Sequence, residues 1–297
     1  MTSQTMTRPQ TGAARTRTLS AAEVAAYNER GYHFPLRAYD AAQTEELRAQ
    51  LAATEKLCGG KLSVRQNSRP HLLFPWLDAM VRDARILDAV EDVLGPDILC
   101  WGSGFFMKGA GDGAYVSWHQ DATYWGLSSP DVTTAWVAFT PSVPESGCMR
   151  VIPGTHRSQL AHADTFADKN LLSRGQEIAV AVEEQRAVDV VLQPGEFSLH
   201  HVLIVHGSEP NRASWPRIGF AIRYVRTDVR QIAGERDSAL LVRGVDRFQN
   251  FDHDIPPKAD LHPDAVAYHA EVLDRQTKIL YRGAAKPGKI GATPDAA

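Results

Sequence analysis

From Ile98 to Val225 the chain is cut into short β-rich runs, "ILCWGSGFFMK", "VTTAWVAFTP", "CMRVIPG", "VDVVLQPG", "FSLHHVLIVHGS" and "RIGFAIRYV", with Gly, Pro, Ser and Asn between them. Runs this short cannot each bury a face alone, and the turn residues between them favour antiparallel pairing, so the pattern predicts a barrel or jelly roll. The first third reads differently. Ser20, three residues before Glu23, has capping-box spacing and opens a helix closed by Gly31. A second helix starts near Asp40, "PWLDAMVRDARILDAVEDVLG" gives one or two more, and a last helix runs from about Pro263 to Leu280. The expected architecture is mainly β, a barrel or jelly-roll core with flanking helices packed outside it. No repeat or long linker divides it, so residues 19–282 read as one domain. Residues 1–18 and 283–297, poor in apolar period, read as disordered tails.

Composition excludes several kinds of partner. With 32 Lys+Arg against 35 Asp+Glu the net charge is -3, so no field of one sign draws the chain to nucleic acid or an anionic membrane. No apolar run reaches the ~20 residues of a membrane span, and the N-terminus lacks the apolar core of a secretory signal. The expectation is a cytoplasmic protein, monomer or homodimer, acting on a small molecule, free or carrier-bound. Cys58, Cys100 and Cys148 are scattered and form no CxxC, which argues against a disulfide framework and a thiolate zinc site.

Chemistry concentrates in "SWHQDATYW", where His119 and Asp121 stand two apart. Along a strand that spacing points an imidazole and a carboxylate the same way. Taken alone, such a pair is more often a hydrogen-bonded couple at a strand end than a metal site. His206, at the end of the apolar run "VLIVH", offers a third ligand where a core strand emerges into a Gly/Pro/Asn loop. Two histidines and one carboxylate are the ligand set of non-haem Fe(II) sites, although zinc also accepts these donors. Arg217 opens the next β run. If the two runs pair as a hairpin, Arg217 sits beside His206, placed to clamp a carboxylate by two parallel hydrogen bonds. Ser208 is placed to add a further bond.

The segments "WHQDATYWGL", "VTTAWVAFTPSVPESGCMRVIPGTHR" and "LQPGEFSLHHVLIVHGSEPNRASWPRIGFAIRYV" resemble the phytanoyl-CoA dioxygenase family of Fe(II)/2-oxoglutarate oxygenases, in order and with the family's spacing, from about Gly31 to Tyr224. The resemblance implies a double-stranded β-helix core of jelly-roll, cupin-like type, Fe(II) held by His119, Asp121 and His206, 2-oxoglutarate as co-substrate with its far carboxylate on Arg217, and O2 as oxidant. It also implies Trp136 and Ser208 near the co-substrate. The implied reaction couples decarboxylation of 2-oxoglutarate, to succinate and CO2, with hydroxylation of an unactivated C–H bond. One branch of the family replaces the metal carboxylate with Ala or Gly to admit halide; Asp121 keeps that position filled here.

Four alternatives stay open on the residues. The same site supports desaturation, epoxidation or cyclisation; the fold alone would serve a non-catalytic binding protein; a zinc hydrolase lacks an evident general base; and small acids or amines are as good as secondary metabolites for substrate. Further candidates are Lys108, ending a β run, for 2-oxoglutarate or a substrate acid, and Tyr124 and Trp125 as an aromatic wall. His71 and Arg243 lie in segments able to fold over the mouth. His200 should share a face with His206 by strand parity, and His201 should face away.

Overall fold

The computed structural model describes residues 17–286. Residues 1–16 and 287–297, which make up most of the two expected tails, lie outside the described residues. The helical first third forms as its caps require. Helix α1 (Ala21–Arg30) starts at Ser20, whose hydroxyl accepts from the Glu23 amide while the Glu23 carboxylate accepts from the Ser20 amide; it stops at Gly31, at a φ of 85°. Strand β1 (Tyr32–Arg37) follows, then α2 (Ala41–Leu57), capped by Asp40, and α3 (Pro75–Val81) and α4 (Ala84–Leu94). Strand β1 escaped the periodicity because Pro35 interrupts it. It lies at a sheet edge with a register shift between His33 and Leu36, where a residue without an N–H is tolerated.

The β runs become β2 (Ile98–Lys108), β3 (Val116–His119), β4 (Val132–Ala138), β5 (Met149–Ile152), β6 (His162–Asp164), β7 (Gln176–Ile178) and β8 (Val188–Val190). After these come β9 (Glu196–His201), β10 (Val205–Ser208), β11 (Arg217–Arg226), β12 (Ser238–Arg243) and β13 (Asp252–His253), and the chain ends its regular structure in α5 (Pro263–Leu280). Seven strands make one sheet in the order β1-β9-β4-β11-β2-β12-β13, and four make another in the order β3-β10-β5-β8, the jelly-roll arrangement expected; β6 and β7 pair separately. All pairs are antiparallel except β12 with β13.

Alternation along β11 explains how the larger sheet serves two layers. Phe220, Ile222 and Tyr224 pack against Val81, Ile86, Leu87 and Val90 of α3 and α4. Each such aliphatic side chain contributes about 1.5–3 kcal/mol by leaving water. Arg217, Ala221 and Arg223, of opposite parity, line the space facing the smaller sheet.

The hairpin expectation is corrected here. The run "FSLHHVLIVHGS" is two strands, broken at residues 202–204, so β9 stays in the large sheet and β10 crosses to the small one. Strand β10 pairs with β3 and β5, whereas β11 pairs with β2 and β4. His206 and Arg217 are therefore on different sheets and face one cavity from opposite walls. The parity argument for His200 fails for the same reason, yet His200 lines that cavity, from the large sheet, with its ring 5.1 Å from that of His206.

Candidate active site

Strand β3 ends at His119, and Asp121 opens a short 3-10 turn, its amide bonded to the Val202 carbonyl. Register pairs His119 with His206 across β3 and β10. One ligand atom from each of His119, Asp121 and His206 lies within 4.8 Å of the others, and the His119 Nε2 is 3.2 Å from the Asp121 Oδ1. Backbone carbonyls fix both tautomers. The His119 Nδ1 lies 2.9 Å from the Ser117 oxygen and 3.1 Å from that of His206, and the His206 Nδ1 is 3.0 Å from the Ile204 oxygen. Protons held at Nδ1 leave both Nε2 lone pairs for a metal.

Electrostatics agree with that donor set. Burial, reinforced by neighbouring His119, holds the His206 imidazole well below its ordinary pKa, hence neutral. Burial alone would push the Asp121 carboxyl up, but its neighbours, the His119 and His206 imidazoles and the Arg223 guanidinium, outweigh it and keep the group ionised. Two imidazoles and one carboxylate fit Fe(II).

Arg217 is 2% exposed and forms a 2.9 Å bond to the Gly147 carbonyl; its Nε has no partner, and no carboxylate pairs with it among the described residues. Burial lowers its pKa to about 10, which still leaves a full positive charge at neutral pH. Its guanidinium lies 5.3 Å from the Trp136 ring centre. Such an unpaired buried fork fits a carboxylate ligand. The indole reaches this position because residue 219 is glycine. A Cβ there would come 1.8 Å from the Trp136 Cζ2. Gly219→Ala is expected to lower stability by about 1–3 kcal/mol through overpacking, read from the midpoint of urea unfolding; an unchanged midpoint would show that the indole has room to move.

Ser208 and Trp136 line the same cavity as the three candidate ligands and Arg217. A second cavity of about 430 Å³, within the range of small-molecule sites, shares Phe106, Asp121 and Arg223 with the first and carries Tyr124 and Trp125 on its wall.

Three expectations are corrected. Lys108 sits behind Ser208 instead of on the cavity wall: its Nζ donates to the Ser208 Oγ at 2.7 Å and lies within reach of the Gly147, Ser208 and Glu209 carbonyls. Burial and the nearby Arg217 pull its pKa down to about 7. His71 does not cover the mouth. It is fully buried, its Nδ1 2.7 Å from the Ser103 Oγ, because Leu72, Leu73 and Phe74 bury with it and make this segment a strut behind the cavity wall. Arg243 ends β12 and turns to α4, bonding Asp88 at 2.6 Å and Glu91 at 2.7 Å. Arg243→Ala should cost about 0.5–1 kcal/mol, as expected for a partly exposed ion-pair network, and leave 2-oxoglutarate titrations unchanged. A shift in those titrations would return Arg243 to the site.

Sequence reasoning missed Phe106, Thr134, Met149 and Arg223 on the cavity walls. Arg223 was readable, since it lies six residues beyond Arg217 on one strand and shares its face.

Ligand donors and an unpaired guanidinium between two jelly-roll sheets define a non-haem iron oxygenase of the double-stranded β-helix class. Among solved structures, a non-heme monooxygenase, ThoJ in its apo form, is 34% identical with a TM-score of 0.77, over 87% of this chain and 97% of that one. CytC3 with Fe(II) and alpha-ketoglutarate is 27% identical with a TM-score of 0.58, over 81% and 97% of the two chains. A probable alpha-ketoglutarate-dependent hypophosphite dioxygenase of Stutzerimonas stutzeri is 28% identical over 176 residues, which is 58% of this chain and 60% of that relative. Residues 10–219 match the phytanoyl-CoA dioxygenase family, and the chain belongs to it. No helix among the described residues is long and apolar enough to cross a membrane.

Proposed function

We propose that this chain is an Fe(II)- and 2-oxoglutarate-dependent dioxygenase that hydroxylates a small molecule, with His119, Asp121 and His206 holding the metal and Arg217 the far carboxylate of 2-oxoglutarate. The observation that carries this reading is the buried, acid-free guanidinium of Arg217 on the cavity that also holds the three ligands. When bound, iron and 2-oxoglutarate supply the oxidising chemistry, coupling loss of CO2 and formation of succinate to oxidation of the substrate. The chain supplies position and dryness. Ser208 stands beside the clamp, oriented by Lys108, and Trp136 flanks the guanidinium. Phe106, Val116, Met149 and Ala221 keep the wall apolar, which strengthens charge pairing at Arg217. Asp121 occupies a metal position that halide would need, so hydroxylation is the outcome we assign.

Adding 2-oxoglutarate to the anaerobic Fe(II) protein should produce the weak visible charge-transfer band of the chelated co-substrate. A wild-type protein carrying one equivalent of iron and no such band would refute the reading.

A further inference from the structure

Arg223 is the one arginine on the cavity walls with no hydrogen-bond or ion-pair partner among the described residues. It lies where the two cavities meet, on the same face of β11 as Arg217. Several other polar groups on these walls are committed, although the Thr134 hydroxyl and the His200 Nδ1 are not. Arg69 pairs with Asp237 at 2.8 Å, and Asn67 gives its amide to the Phe105 carbonyl and takes the Phe105 amide. Ser103 is taken by His71 and the Trp101 Nε1 by Asp237. Arg223 instead rests between two rings, 5.8 Å from the centre of Phe106 and 5.7 Å from that of Trp125. Stacking of this kind holds the plane of a guanidinium and leaves its N–H edge to a ligand. Gly102, opposite it on β2, adds no side chain to the space; even a Cβ there would come only to 4.0 Å of the Arg223 Cδ.

Charge makes the vacancy chemical. With the metal and 2-oxoglutarate in place, as in the function proposed above on which this inference rests, a dication, the Asp121 carboxylate, the dianionic co-substrate and the Arg217 guanidinium balance to zero. Arg223, half-buried, then adds one further positive charge to the wall of the first cavity, where Asp121 is the one carboxylate, and desolvating a charge without a bonded partner is costly. We propose that Arg223 is the substrate anchor and that the substrate carries an oxyanion, which the guanidinium grips by its fork close to the bond that is oxidised. The adjoining cavity, walled by Trp101, Tyr124, Trp125 and Phe105, would take the body of such a molecule.

The test uses protein loaded with Ni(II), as a redox-inert stand-in, and saturating 2-oxoglutarate, titrated calorimetrically with 3-phenylpropanoate, methylphosphonate and the neutral 3-phenylpropanamide. At least one anion should bind about tenfold or more tightly than the amide, as a bidentate charged contact implies; whichever anion leads assigns the carboxylate or the phosphorus oxyacid. Arg223→Gln should erase that preference and leave 2-oxoglutarate affinity within about twofold, and Arg223→Lys, which keeps the charge without the fork, should keep only part of it. Thermal melting of the apo-protein gives an independent reading. Removing a half-buried cation that makes no hydrogen bond or ion pair should leave Tm close to wild type. The proposal is overturned if neither anion outbinds the amide, if Arg223→Gln keeps the preference, if it weakens 2-oxoglutarate instead, or if it lowers the apo Tm. Failure of the oxygenase reading is separate, since it shows as a missing Fe(II) band in the wild type.

Discussion

His206→Ala and Asp121→Ala should each abolish succinate formation, with or without excess iron in the assay. The expected loss exceeds the roughly 10- to 100-fold in metal affinity that follows removal of a mere outer-shell partner, because each substitution deletes one of only three donors. The geometry makes His206→Ala the cleaner experiment. The His119 imidazole is oriented by the Ser117 and His206 carbonyl oxygens, both backbone atoms, so truncating the His206 side chain leaves the first histidine where it is. Asp121→Ala also removes the only charge of the donor set, the carboxylate that lies 3.2 Å from the His119 Nε2. Iron stoichiometry, measured with a colorimetric chelator after desalting, should drop with activity in both variants while the Tm of the apo-protein stays close to wild type. Succinate production within about tenfold of wild type in either variant would remove that residue from the metal site.

The parts of this site that the sequence carried are those written as local pattern. Capping residues placed α1 and α2, Pro263 and Leu280 bounded α5, and the two-residue spacing of His119 and Asp121 was enough to put both donors at one strand end. Sheet membership is not a local property. The run from Phe197 to Ser208 holds no Pro, Asn or Asp, and nothing in its composition marks the break at 202–204 that sends His206 to the small sheet and leaves His200 in the large one. Because both sheets present their inner faces to one cavity, the wrong pairing still led to the right neighbours. The errors with Lys108, His71 and Arg243 share another cause. A polar residue at a strand end or in a Pro-rich segment reads as available, and only tertiary contacts tell that carbonyls, Ser103 or the acids of α4 have already claimed it. Arg223 is the reverse case: its parity with Arg217 was visible, while its lack of a hydrogen-bond or ion-pair partner among the described residues could be known only from the fold.

Arg217→Ala should raise the 2-oxoglutarate concentration for half-saturation by about 30- to 1000-fold, corresponding to the roughly 2–4 kcal/mol lost when one member of a desolvated charged pair is truncated. The size of the effect depends on what the free protein already spends. Arg217 is buried with one carbonyl bond and an unpartnered Nε, so part of its charge is uncompensated until an anion arrives, and the interaction with a carboxylate is made almost wholly in the bound state. That asymmetry predicts a split in the kinetics. At saturating co-substrate the turnover of Arg217→Ala should fall far less than kcat/KM, since the clamp acts at the end of 2-oxoglutarate remote from the metal, and the apo-protein should not be destabilised in proportion. Arg217→Lys should lie between, because an ammonium supplies the charge without the two parallel donors. A half-saturation value unmoved by Arg217→Ala would mean that the co-substrate enters by another cation. Arg223, on the same face of the same strand, would be the first to examine, with the roles of the two arginines exchanged.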